Sequence, residues 1–171
     1  MGTATDTGRA ADEFVITRVY DVPRERLFEI WTESAHLMRW WGPKGFKMLS
    51  AEMDLRPGGV FLYGMQMPDG GEMWGKWVFR EIVAPERLVF IVAFSDPAGG
   101  VTRHPMVPDW PLQTFSTVTF TPSDGGTRVE IRWRPHEATE RERRTFEEGR
   151  GSMQQGWTGT LDKLADYLAQ A

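Results

Sequence analysis

Four turn signatures divide the middle of the chain: Arg56-Pro57-Gly58-Gly59, Pro68-Asp69-Gly70-Gly71, Ala84-Pro85-Glu86 and Ser123-Asp124-Gly125-Gly126. Pro followed by Gly suits a type II turn, and Asp-Gly pairs are turn formers in their own right. Between and around these signatures run apolar segments of strand length, at residues 46–55, 60–67, 74–83, 88–94, 114–120 and 127–133. That spacing predicts an antiparallel meander. An alternating run at 14–20 supplies a first strand ahead of it. In the last strand Thr127, Val129, Ile131 and Trp133 share one face, and Arg128, Glu130, Arg132 and Arg134 the other. One face of the sheet is therefore buried and one meets water.

The helical period takes over at both ends. Asp21-Val22-Pro23 opens a short helix whose Leu27, Phe28 and Trp31 form an inward stripe. A second short helix starts at Ser34, carries Leu37, Met38, Trp40 and Trp41, and stops at Gly42-Pro43. After residue 138 the chain predicts one long helix to about residue 169. Thr139-Glu140-Arg141-Glu142 reads as its capping box, and Phe146, Met153, Trp157, Leu161, Leu164 and Leu168 line one side. Such a helix spans roughly 45 Å. Residues 95–111 are too rich in Pro and Gly for a strand and are expected to form a long loop. The order of elements gives an α+β fold, with about seven antiparallel strands in a curved sheet wrapped around the C-terminal helix and two short helices after the first strand. Residues 1–12 read as a disordered tail, and 13–171 as one domain.

Composition removes several classes of function. Lys and Arg number 20 against 24 for Asp and Glu, a formal charge of -4, so neither a nucleic acid nor an anionic membrane is the expected partner. There is no cysteine, which rules out disulfides, thiol catalysis and thiolate metal sites. His36, His104 and His136 are far apart and lack metal-ligand spacing, so no metal or other cofactor is expected. His36 and His136 read as surface residues. The chain has no signal-peptide core or apolar run of membrane-spanning length, and a cytoplasmic location is expected.

What stands out is aromatic: eight Trp, ten Phe and three Tyr, with nine Met besides. Each buried indole seeks a partner for its N–H, so this number exceeds what a core of this size needs. Phe61, Tyr63 and Met65 share one strand face, and Trp77 and Phe79 share the next. With Trp133, Met153 and Trp157 they form a wall suited to a small hydrophobic or aromatic ligand held between sheet and helix. Trp40 and Trp41 are adjacent at a helix end, so one is expected at the cavity mouth while the other packs on the sheet. The 95–111 loop carries Trp110, Arg103, His104 and Asp109 and is expected to fold over the opening. Any proton transfer would fall to His104 with Asp109. No nucleophile elbow, phosphate loop or paired-carboxylate motif is present.

Four segments together carry a family resemblance: Arg39-Trp40-Trp41-Gly42-Pro43, Asp54-Leu55-Arg56-Pro57-Gly58-Gly59, Glu86-Arg87-Leu88-Val89-Phe90, and Gly156-Trp157 followed by Leu161-Asp162-Lys163-Leu164. In this order they resemble the homologues of the Hsp-90 ATPase activator domain, within the START-like (SRPBCC) superfamily. The resemblance runs from about residue 14 to 168. It implies a helix-grip fold and, for function, lipid or other hydrophobic-ligand binding. The alternatives it implies are a cyclase, aromatase or hydrolase working in the same cavity, and a co-chaperone-like protein of the stress response. A chaperone partner and a homodimer are both compatible with it.

Overall fold

The computed structural model describes residues 13–170, so the tail expected at 1–12 lies outside the described residues. The chain runs β1 (Phe14–Tyr20), α1 (Arg24–Thr32), α2 (Ser34–Trp40), β2 (Lys47–Met53), β3 (Val60–Gln66), β4 (Glu72–Val83), β5 (Arg87–Ser95), β6 (Val101–Thr102), β7 (Thr114–Ser123), β8 (Gly126–Pro135), α3 (Glu140–Glu148) and α4 (Arg150–Gln170). The strands form one open sheet in the order β1-β8-β7-β5-β4-β3-β2, with β6 attached to β5.

The turn chemistry behaves as its residues dictate. Gly59 N–H donates to the Arg56 carbonyl at 2.7 Å while Gly58 takes φ +84°, the position a type II turn reserves for glycine. Asp124 and Gly125 both adopt positive φ between the paired Ser123 and Gly126, which matches the right-handed twist of a tight hairpin. The segment after Ser95 departs from expectation. Asp96 Oδ1 accepts the N–H groups of Ala98 and Gly100, at 2.8 and 2.9 Å, and closes a small turn. Residues 101–102 then pair back onto β5 as a two-residue strand, so the loop proper begins at Arg103.

Alternation fills one face of the sheet with large side chains. In β4 the pattern breaks at a register shift between Phe79 and Glu81, beyond Trp77 and Phe79, which therefore keep their inward face. α1 packs on β7 and β8, α2 on β2 and α4, and α4 on β1. Trp31 of α1 is fully buried at the meeting point, with its ring centroid 4.9 Å from Trp40, 6.0 Å from Phe120, 6.1 Å from Trp41 and 6.4 Å from Trp157. Each such ring contact contributes about 0.5–1.5 kcal/mol beyond burial.

The C-terminal helix is two helices, not one. The capping box forms: Glu142 N–H donates to Thr139 Oγ1 at 3.1 Å, and Thr139 N–H to Glu142 Oε1 at 3.0 Å. At Gly149 (φ -90°, ψ 9°) the helix breaks and restarts as α4. A Cβ there would stand 2.8 Å from Cζ3 of Trp110, so the glycine is the notch into which that indole fits. From Gly149 onward α4 lays Met153, Trp157, Thr160, Leu161 and Leu164 against the sheet.

Candidate functional site: an aromatic cavity

One helix cannot fill the wide apolar face of the sheet, and a cavity of about 550 Å³ remains between them. Its floor comes from Tyr63 and Met65 of β3, Met73 and Gly75 of β4, Val92 and Phe94 of β5, and Trp133 of β8. α4 contributes Met153, Gly156, Trp157 and Thr160, and the turn between α2 and β2 contributes Trp41, Gly42, Pro43 and Phe46. His104, Met106, Val107 and Trp110 line the side of the 103–111 loop, where Met106 is 66% exposed and the cavity meets solvent.

Of the residues expected in the wall, Trp41, Tyr63, Met65, Trp110, Trp133, Met153 and Trp157 line the cavity. Trp40, Phe61, Trp77 and Phe79 do not; they form the packed layer beside it, each at most 1% exposed. Trp77 is held there by stacking on Phe90 at 4.1 Å and by the edge of Phe61 at 4.7 Å. Trp40 is the tryptophan of its pair that packs inside, its Nε1 donating to the Ile30 carbonyl at 3.2 Å. Trp41 turns toward the cavity and Tyr63.

Small residues shape the wall as much as large ones. A Cβ on Gly75, directly across the ladder from Tyr63, would come within 2.6 Å of the tyrosine hydroxyl. The missing side chain lets the Tyr63 ring lie over β4, and burial pushes its hydroxyl pKa up to about 12. Trp133 and Trp157 meet edge to face at 5.5 Å, and both indole N–H groups are buried without a hydrogen-bond acceptor among the described residues.

The proposed His104–Asp109 pair is not assembled. His104 Nδ1 accepts the N–H groups of Met106 and Val107, at 3.0 and 3.1 Å, and folds the loop back on itself. Its ring lies against Phe94 at 4.6 Å, and burial holds its pKa below the usual histidine value. Asp109 is paired with Arg141 Nε at 3.0 Å instead. The loop is latched by Arg103, which binds the Glu142 carboxylate and the Trp110 carbonyl. Burial pushes the Glu142 carboxyl up, but Arg103 and the Thr139 cap outweigh it and hold the group below the ordinary range. His36, expected on the surface, is half-buried with Nδ1 2.7 Å from the Tyr167 hydroxyl. His136 tilts against Phe115 at 6.0 Å and is likewise half-buried. Among the described residues no group of three or more acidic or imidazole side chains is arranged to hold a metal, and no helix is long and apolar enough to cross a membrane.

Sequence reasoning missed Met73, Val92 and Phe94 as lining residues. The signal was present, because they continue the two-residue alternation of Gly75-Trp77 and Leu88-Phe90. Met106 and Val107 were hidden in a Pro-rich segment that carries no periodicity.

Among solved structures, a Mycobacterium smegmatis protein matches with a TM-score of 0.76 at 25% identity, covering 94% of this chain and 92% of its own. A solution structure from Arthrobacter aurescens matches with a TM-score of 0.75 at 28% identity, covering 95% and 88%. A Silicibacter pomeroyi structure described as an AHSA1 protein shares the fold with a TM-score of 0.70 at 21% identity, covering 92% and 98%. No curated protein matches the sequence. The family model described as "Activator of Hsp90 ATPase homolog 1-like protein" matches residues 21–169, nearly the whole chain. By that match, and with a START-like helix-grip architecture in agreement, the chain belongs to the Activator of Hsp90 ATPase homolog 1-like family.

Proposed function

We propose that this protein binds a small, largely apolar ligand, aromatic or alicyclic in character, between the sheet and α4. The observation that carries the reading is the 550 Å³ cavity walled by Trp41, Tyr63, Met65, Trp133, Met153 and Trp157. That volume falls in the range of pockets that enclose drug-sized molecules. Flat rings offer stacking surfaces at low entropic cost, and methionines adapt to the outline of a guest. Binding is favoured over proton-transfer catalysis because His104 and Asp109, the pair such chemistry would use, are each committed elsewhere.

The test combines two measurements on the full chain. Native mass spectrometry of freshly purified protein, set against its denatured mass, reports a resident ligand and its mass. Titration with N-phenyl-1-naphthylamine, a neutral fluorophore, reports the cavity directly. Saturable one-to-one binding with blue-shifted emission is the expected result. Absence of both an adduct and saturable probe binding overturns the reading.

A further inference from the structure

We infer that the cavity selects uncharged ligands and turns away carboxylates, sulfonates and phosphates. This deepens the binding reading above and rests on it. Among the described residues that line the cavity there is no lysine or arginine, and the ionised side chain at its rim is the carboxylate of Glu148. An anion that enters therefore meets no cation on the wall and a like charge at the opening.

Four of the cations nearby are already engaged. Lys163 Nζ donates to four backbone carbonyls behind the wall, those of Trp41, Gly42, Pro43 and Phe46, at 3.1 to 3.4 Å. Arg103 is taken by Glu142 and Arg141 by Asp109. Arg150 donates to Glu147 and to the Glu13 carbonyl. Arg144 lines a small polar depression with Asp109, Arg141, Thr145 and Glu148, which adjoins the cavity at Thr145 and Glu148 but is not part of its wall.

The hydroxyl protons of two lining residues are spent as well. Thr145 Oγ1 donates to the Arg141 carbonyl, and Thr160 Oγ1 to the Gly156 carbonyl, both at 3.0 Å. His104 presents a half-buried imidazole whose Nδ1 is an acceptor of two backbone N–H groups. The indole N–H groups of Trp41, Trp133 and Trp157, unpartnered among the described residues, are neutral donors. They offset only part of the cost of removing an anion from water, whereas a neutral ring system loses little.

The experiment uses two probes that differ by one sulfonate: N-phenyl-1-naphthylamine and 8-anilino-1-naphthalenesulfonate, titrated at pH 7 in the same buffer. The neutral probe is expected to bind about tenfold more tightly or better. Glu148→Lys, which places a cation at the rim, is expected to narrow that ratio by about fivefold. Equal or tighter binding of the sulfonate by the wild-type protein overturns the inference while leaving the binding reading intact. An unchanged ratio in Glu148→Lys overturns the role given to the rim carboxylate. If neither probe saturates, the binding reading itself falls and takes this inference with it.

Discussion

The ammonium of Lys163 donates a hydrogen bond to the Gly42 carbonyl at 3.1 Å, tying α4 to the turn that ends α2. The same ammonium reaches the carbonyls of Trp41, Pro43 and Phe46, so one cation neutralises a cluster of dipoles pointing at it. Gly159 completes the joint, since a Cβ there would press against Lys44 at 3.3 Å. This joint sets the orientation of Trp41 at the cavity.

Replacing Lys163 by methionine keeps most of the aliphatic stem and removes the donor. The carbonyls then face one another without a partner, and a loss of about 1–3 kcal/mol is expected in urea unfolding. Because Trp41 sits on the released turn, affinity for the neutral probe should fall too. A variant with wild-type stability and affinity would show that the ammonium is incidental.

Two glycines of the C-terminal helices answer opposite questions. At Gly149 a methyl group collides with the Trp110 ring, whereas at Gly151 there is nothing within 4 Å. Helix propensity favours alanine over glycine by roughly 1 kcal/mol within a helix, which applies to Gly151 in α4 but not to Gly149 at the break. Gly151→Ala should therefore gain about 0.5–1 kcal/mol in thermal or urea unfolding. Gly149→Ala should gain nothing, and amide exchange across residues 103–111 should accelerate as Trp110 leaves its notch. Equal stabilisation by both substitutions would mean that Trp110 is not seated by the break.

Much of this architecture was legible beforehand because it depends on local chemistry. The Asp124-Gly125 turn, the Thr139–Glu142 box and the two-residue alternation of β3 and β8 are read from neighbouring residues, and each is found where its pattern lies. What escaped was decided between distant segments. Whether Trp77 borders space or packs solidly depends on Phe90 and Phe61 reaching it from adjacent strands. Which of Trp40 and Trp41 turns outward depends on a carbonyl at Ile30 and an ammonium at Lys163. The break at Gly149 escaped for the same reason. Gly149, Gly151, Gly156 and Gly159 would each weaken a helix, and only the contact with Trp110 shows that Gly149 is the one that interrupts it.

Alkaline pH provides a test of the buried tyrosines. Tyr20 Oη donates to the Leu161 carbonyl at 2.8 Å, and burial pushes its pKa well above the ordinary value of 10. A group whose folded-state pKa is raised contributes stability that is complete below the unfolded value and is lost as pH climbs past it. Unfolding free energy should hold up to about pH 10 and then fall, with Tyr20 alone contributing a slope of up to about 1.4 kcal/mol per pH unit. Tyr63, pushed to about 12, adds to the same fall up to that pH. Lys163, whose pKa burial lowers, acts in the opposite sense as pH approaches 10.5. The comparison is therefore made within one background: Tyr20→Phe should start about 0.5–1.5 kcal/mol lower at pH 8 and lose less above pH 10. Parallel curves for wild type and variant would refute the assignment.

Gly156 separates the cavity from the fold. It lines the cavity on α4, and a Cβ there meets nothing within 4 Å. Gly156→Ala should stabilise the helix by about 0.5–1 kcal/mol and leave room for a guest. Gly156→Leu extends an apolar branch into the same space, where it occupies the site of a ligand without displacing a packed neighbour. It should fold at least as well as wild type, because the added carbons bury against Trp133, Met153 and Trp157 rather than straining a filled core. Its affinity for N-phenyl-1-naphthylamine should drop by about tenfold or more. A Leu variant that is destabilised by more than about 2 kcal/mol would mean that the region is packed and not open. A stable Leu variant that binds the probe as tightly as wild type would place the probe elsewhere on the protein.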